Sequence, residues 1–125
     1  VQAYHFANTL FINDGKGKFT PKVLPWEAQI TAYKTAVTVD ANGDKWPDIL
    51  MMGNFYDNNV QMGRYDADYG TLLINTGKQD FNAAPMNGLS IKGQVRKISP
   101  IQIKQQTAFV LGMNSDSLRL IQFKN

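Results

Sequence analysis

The residues best suited to chemistry lie in one run, Asp40-Ala41-Asn42-Gly43-Asp44-Lys45-Trp46-Pro47-Asp48. Oxygen-bearing side chains occupy its first, third, fifth and ninth positions: Asp40, Asn42, Asp44 and Asp48. A hard cation such as Ca2+ takes about six to eight oxygens from carboxylates, amides, main-chain carbonyls and water. Alternate residues of a tightly wound loop can aim their side chains at one centre, and the carbonyl of Trp46 can fill a gap among them. Three carboxylates carry a formal charge of −3, costly to crowd together unless a cation offsets it. The same residues also suit a plain solvated turn. Asn42-Gly43 is a strong turn dipeptide, because both residues accept positive φ, and surface hairpins often carry Asp for solubility alone. Spacing leaves both readings open.

The flanks say what positions this run. Ala36-Val37-Thr38-Val39 precedes it and Ile49-Leu50-Met51-Met52 follows it. Both read as short strands, which makes 40–48 the loop of a hairpin. The pattern Asp40-x-Asn42-Gly43-Asp44-x-x-Pro47-Asp48-Ile49-Leu50 resembles the signature of FG-GAP/VCBS repeats. These are the calcium-binding blades of integrin-α-like β-propellers, found in secreted bacterial proteins that include ASPIC/UnbV-type members. The resemblance implies Ca2+ held by Asp40, Asn42, Asp44 and Asp48, with a main-chain carbonyl at Trp46. The family often has Gly where Lys45 stands. If that position needs positive φ, Lys costs about 1 kcal/mol relative to Gly.

A second regularity runs through the whole chain. Leu10-Phe11-Ile12-Asn13-Asp14-Gly15-Lys16 aligns with Leu72-Leu73-Ile74-Asn75-Thr76-Gly77-Lys78, an offset of 62 residues that also puts Phe19 on Phe81. Each copy reads as a strand, a tight Asn-x-Gly-Lys turn and a returning aromatic. The second halves correspond more loosely. Opposite the acidic loop, the later copy has Gln102-Ile103-Lys104-Gln105-Gln106-Thr107, which lacks carboxylates, so no second metal site is expected. Leu118 to Phe123 begins what would be a further copy of the first hairpin.

These signals predict a single all-β antiparallel domain over 1–125, with repeat copies at about 8–66 and 70–125. Strands are expected near 8–13, 29–33, 35–39, 48–53, 70–75, 88–92, 94–98, 108–112 and 117–123, with one short helical turn near 24–29. About 60 residues per four strands matches a propeller blade, so the chain reads as about two blades of a partial propeller. Closure normally takes about four to eight blades. The expectation is therefore the C-terminal fragment of a larger propeller, a few blades packed as a sandwich-like body, or a piece that self-associates through exposed strand edges.

The stretch 54–69 departs from the repeat. Long connections often carry function. Tyr56, Tyr65 and Tyr69 offer faces for stacking, and Asn58, Arg64, Asp66 and Asp68 offer hydrogen bonds, a mixture suited to glycan or peptide ligands. A surface loop whose tyrosines pack on neighbouring strands is the alternative. Asp66 and Asp68 share a face if extended, and paired carboxylates can hydrolyse glycosides. Any acidic loop supplies such a pair, however, and the single histidine, His5, has no evident partner. No phosphate-binding glycine loop or zinc spacing is present. The reading is a non-catalytic module, with a glycan-processing protein using 54–69 as the alternative.

Composition narrows the partners. The 125 residues are 43% hydrophobic and carry a net charge of +3. The basic residues are scattered, with only Arg96 and Lys97 adjacent, so nucleic-acid binding is not expected. No apolar run approaches the roughly 20 residues that span a bilayer. Cysteine is absent, which removes disulfides and thiolate chemistry. Together with the family resemblance, this gives a calcium-stabilised extracellular or cell-envelope module for adhesion or for ligand or carbohydrate binding.

Overall fold

The computed structural model describes residues 2, 4–54, 69–86 and 90–123. Among them the chain forms nine strands and one short 3-10 helix. Strands β1 (Thr9–Asn13) and β2 (Phe19–Val23) make a two-stranded ribbon. A four-stranded sheet follows in chain order from β3 (Thr35–Val39), β4 (Asp48–Met52), β5 (Thr71–Asn75) and β6 (Phe81–Ala84). A three-stranded sheet comes from β7 (Val95–Ile103), β8 (Gln106–Met113) and β9 (Arg119–Ile121). Every pairing is antiparallel, as the sequence leads one to expect. The described strands form open sheets rather than a closed barrel.

The repeat is visible in the hydrogen bonds. Asn13 Oδ1 accepts from Gly15 N at 2.9 Å, and 62 residues later Asn75 Oδ1 accepts from Gly77 N at 2.9 Å. Asp14 N donates to Lys18 O, and Thr76 N donates to Asp80 O. Yet the copies at 8–66 and 70–125 do not each form a sheet. β4 pairs with β5 through Ile49↔Leu73, Leu50↔Leu72 and Met51↔Thr71. The middle sheet is therefore the second hairpin of one copy joined to the first hairpin of the next.

Burial explains that join. The middle sheet is covered on both faces. Leu50, Met52 and Leu72 pack with Ile91, Val95, Ile98, Phe109, Leu111 and Ile121 of the third sheet and its approach. On the opposite face, Met51 and Leu73 pack with Leu24, Ala28 and Leu10. A strand buried on both faces needs a continuous apolar run rather than alternation, and Ile49-Leu50-Met51-Met52 supplies one. β3 alternates instead, turning Val37 and Val39 toward the third sheet.

Two expectations change at the edges of this core. The strand expected at 29–33 does not form, whereas the short helical turn expected near 24–29 does, as the 3-10 helix Trp26–Gln29, which begins after Pro25 and buries Ala28. Gln29 is committed to the start of β1: its Oε1 accepts from Asn8 N at 2.7 Å, and its Nε2 donates to Asn8 O at 3.0 Å. In the region expected as strand 88–92, residues 87–89 lie outside the described set. Residues 90–92 are not strand, although Ile91 is buried and donates its N–H to Tyr69 O.

Leu50 is fully buried, and Leu50→Ala is expected to cost roughly 2–5 kcal/mol in urea unfolding. Lys16→Ala, on an exposed turn, is expected to change stability by less than about 0.5 kcal/mol in the same measurement.

Candidate functional site

The loop joining β3 to β4 is wound by its own side chains. Asp40 Oδ1 accepts from Gly43 N at 2.8 Å, and its Oδ2 accepts from Lys45 N at 3.1 Å. Asn42 Oδ1 accepts from Asp44 N at 3.0 Å, and Asp44 Oδ1 accepts from Trp46 N at 2.8 Å. Asp and Asn favour such turns because their short side chains reach main-chain N–H groups a few residues ahead. Two residues adopt left-handed backbone, Gly43 at φ 81° and Lys45 at φ 70°. The conditional cost assigned to Lys45 therefore applies.

Asp48 has a different place from the other oxygen donors. Asp40, Asn42, Asp44 and Trp46 are exposed, whereas Asp48 is 0% exposed. Its Oδ2 accepts from Ala41 N at 3.0 Å, and its Oδ1 accepts from Asn75 N at 2.8 Å. One carboxylate thus joins the start of the acidic loop to the turn of the β5–β6 hairpin. Asn75 returns a contact by donating Nδ2 to Pro47 O at 3.2 Å. The Trp46 indole lies over Gly77, where an added Cβ would come within 3.1 Å of the ring. Gly77 is thus fixed by close approach as well as by its φ of 76°.

The donor set is all oxygen, which suits a hard cation. Each carboxylate oxygen bound to one N–H keeps further acceptor capacity. The side chains do not converge on one centre, however. Asn42 Nδ2 donates to Asp44 Oδ2 at 2.8 Å, and Asp48 faces Ala41 and Asn75. Among the described residues no three His, Cys, Asp or Glu side chains form a group that could hold a metal. Cation uptake would have to displace the Asn42–Asp44 contact.

Of the residues proposed for ligand contact, Tyr56, Asn58, Arg64, Tyr65, Asp66 and Asp68 lie outside the described residues. Tyr69 is exposed, and its carbonyl holds Ile91 N. Asn54, at the start of that stretch, is buried and donates Nδ2 to Gly93 O at 3.2 Å. His5 is exposed ahead of β1.

One feature beside the acidic loop has no clear sequence signal. A groove of about 720 Å3 runs between the end of β3 and the third sheet, lined by Thr38, Asp40, Gln106, Thr107, Gln122 and Phe123 among others. Gln122 Nε2 donates to Gln106 Oε1 at 2.6 Å across part of its wall. At one end of the groove β7 and β8 meet in a two-residue turn, Lys104 and Gln105, both at positive φ (47° and 67°), with Gln105 in its lining. That geometry is the hairpin turn usually marked by Asn or Gly, and neither residue marks it here.

No protein-family profile, curated protein or solved structure matches the chain.

Two substitutions probe this geometry. Asp48→Ala strands the Ala41 and Asn75 amides and is expected to cost about 1–3 kcal/mol for each one left without a partner, read by chemical denaturation. Lys45→Gly relieves the left-handed side-chain clash and is expected to raise stability by about 1 kcal/mol or less, because glycine also loosens the unfolded chain.

Proposed function

We propose that the chain is a non-catalytic β-repeat module of the kind seen in FG-GAP/VCBS propellers, stabilised by Ca2+ at the 40–48 loop. The observation that carries this reading is the loop itself: an all-oxygen set of side chains on a hairpin tip whose base is tied to the next hairpin through Asp48. In this reading Asp40, Asn42, Asp44, Asp48 and the Trp46 carbonyl would hold the ion once the Asn42–Asp44 contact opens and the side chains turn to one centre. When bound, the ion offsets the three negative charges and pins the loop. This chain's own residues wind the loop, orient its oxygens and transmit the restraint to the β5–β6 turn.

The middle sheet has four antiparallel strands in chain order, which supports reading it as one propeller blade, and in this reading the sheets beside it would be parts of two more. A site whose ligands are mostly exposed, and whose loop carries a strained Lys45, suits the weak end of calcium affinity, about 10⁻⁴–10⁻³ M. Such affinities are met by extracellular Ca2+, in line with a secreted or cell-envelope module for adhesion or ligand binding. The groove beside Asp40, lined by amides and hydroxyls together with Val39, Pro100, Phe109 and Phe123, is where a neutral ligand with both polar and apolar faces, such as a glycan, would sit.

Thermal unfolding in EDTA, in millimolar Ca2+ and in millimolar Mg2+ tests the proposal. Ca2+ at a hundredfold excess over Kd contributes roughly 2.7 kcal/mol. The midpoint is expected to rise by several degrees in Ca2+ alone, and Asp44→Ala is expected to abolish the rise. An identical midpoint in all three buffers would leave 40–48 as a solvated turn.

A further inference from the structure

The two internal contacts between sheets are built the same way, and the two outer sheets present both halves of a third such contact. The β4–β5 and β8–β9 ladders have the same register. Ile49↔Leu73, Leu50↔Leu72 and Met51↔Thr71 correspond to Phe109↔Ile121, Val110↔Leu120 and Leu111↔Arg119. Each sheet therefore has a first face and a second face that can be compared residue by residue. Leu73 of the middle sheet and Ile121 of the third lie on first faces, whereas Leu72 and Leu120 lie on second faces. The 62-residue repeat extends the same assignment to the ribbon, placing Phe11 on its first face and Leu10 on its second.

With this assignment, one rule describes the interior. The second face of the ribbon, through Leu10, meets the first face of the middle sheet, through Leu73 and Met51. The second face of the middle sheet, through Leu50 and Leu72, meets the first face of the third sheet, through Leu111 and Ile121. What no described sheet covers is the first face of the ribbon and the β9 side of the second face of the third sheet, where Leu120 is exposed beside half-buried Val110. Phe11, Pro21, Val23 and Phe19 share that ribbon face, because the register pairs Phe11 with Pro21, Thr9 with Val23 and Asn13 with Phe19. Phe11 is 60% exposed and Phe19 56%, while their counterpart Leu73 is 0% exposed and Phe81 is half-buried in the core. At the other end, Leu120 is 55% exposed where its counterpart Leu72 is 6% exposed, and Val110 and Ile101 share its face. The counterparts Leu73, Leu72 and Leu50 are buried where the chain supplies a neighbouring sheet.

We infer that these two faces bind each other between copies of this chain, the Phe11–Phe19 face of one copy seating on the Leu120–Val110 face of the next. A second copy is the occupant because it carries the matching face, in the same order in which the sheets already stack inside one copy. The contact is head-to-tail, so each copy keeps one unused face and further copies can add until a ring closes or a filament grows. Faces rather than strand edges make the contact, and it involves no residue of the 40–48 loop, so it stands or falls independently of cation binding.

Sedimentation velocity over a wide concentration range tests the assignment, using the wild type, Phe11→Asp and Leu120→Asp. Both positions are exposed, and circular dichroism checks that each variant is folded. The wild type is expected to associate with rising concentration, and each variant alone to stay monomeric. An equimolar mixture of the two variants is expected to form a 1:1 dimer, since Phe11→Asp retains an intact Leu120 face and Leu120→Asp an intact Phe11 face. Three outcomes would overturn the inference: a wild type monomeric throughout, association that survives either substitution, or a mixture that stays monomeric. The first would leave these faces to a further repeat of a longer chain or to a partner of other chemistry. The second would point to an edge-to-edge or other contact.

Discussion

The carboxylate of Asp48 is the interaction on which the arrangement of this chain turns. It is fully buried at the point where the acidic loop leaves β3 and returns as β4, and it accepts one N–H from that loop and one from the turn beyond β5. A buried carboxylate is tolerable only when such donors satisfy it. The donors here belong to two different hairpins. The requirement to satisfy one buried carboxylate therefore ties the loop to the neighbouring turn, where Trp46 lies over Gly77, and reinforces the β4–β5 pairing that burial drives. That pairing, between hairpins of different repeat copies, turns a chain of hairpins into a four-stranded sheet covered on both faces.

The later copy shows what happens without this constraint. At the ladder position of Asp48 it has Ala108, fully buried, and beside it the buried Phe109 meets Phe123 edge-on with ring centroids 6.1 Å apart. The strands β7 and β8 run on to a two-residue turn, with no loop to be tied down. The same sheet-to-sheet packing is thus reached by two local solutions, one polar and satisfied by hydrogen bonds, the other apolar. Only the polar one leaves oxygens at a hairpin tip, where a cation can be considered.

Much of the fold was legible because its signals are local. The Asn-x-Gly turns at 13–15 and 75–77 have a side-chain mechanism, and the strands beside them follow at the 62-residue offset. The continuous apolar run 49–52 marks a strand buried on both sides. Other parts were hidden for physical reasons. β2 carries Pro21 at its centre, which argues against a strand until its partner on only one side is known. β6, Phe-Asn-Ala-Ala, has little strand propensity and is held by β5. The turn at 104–105 lacks the glycine or asparagine that announces positive φ. In the site, the oxygen spacing was readable, but the burial of Asp48 was not. Its second partner is 27 residues away, on a hairpin whose position depends on the sheet.

Amide hydrogen exchange, resolved by residue, tests the role of Asp48 most directly. If its carboxylate ties the two hairpins together, the amides of Ala41 and Asn75 are both protected in the wild type and lose that protection together in Asp48→Ala. Amides of the β1–β2 ladder keep theirs. Protection of Asn75 that persists in the variant would show that the β5–β6 turn is held by other contacts, and would contradict the central place given to this buried charge.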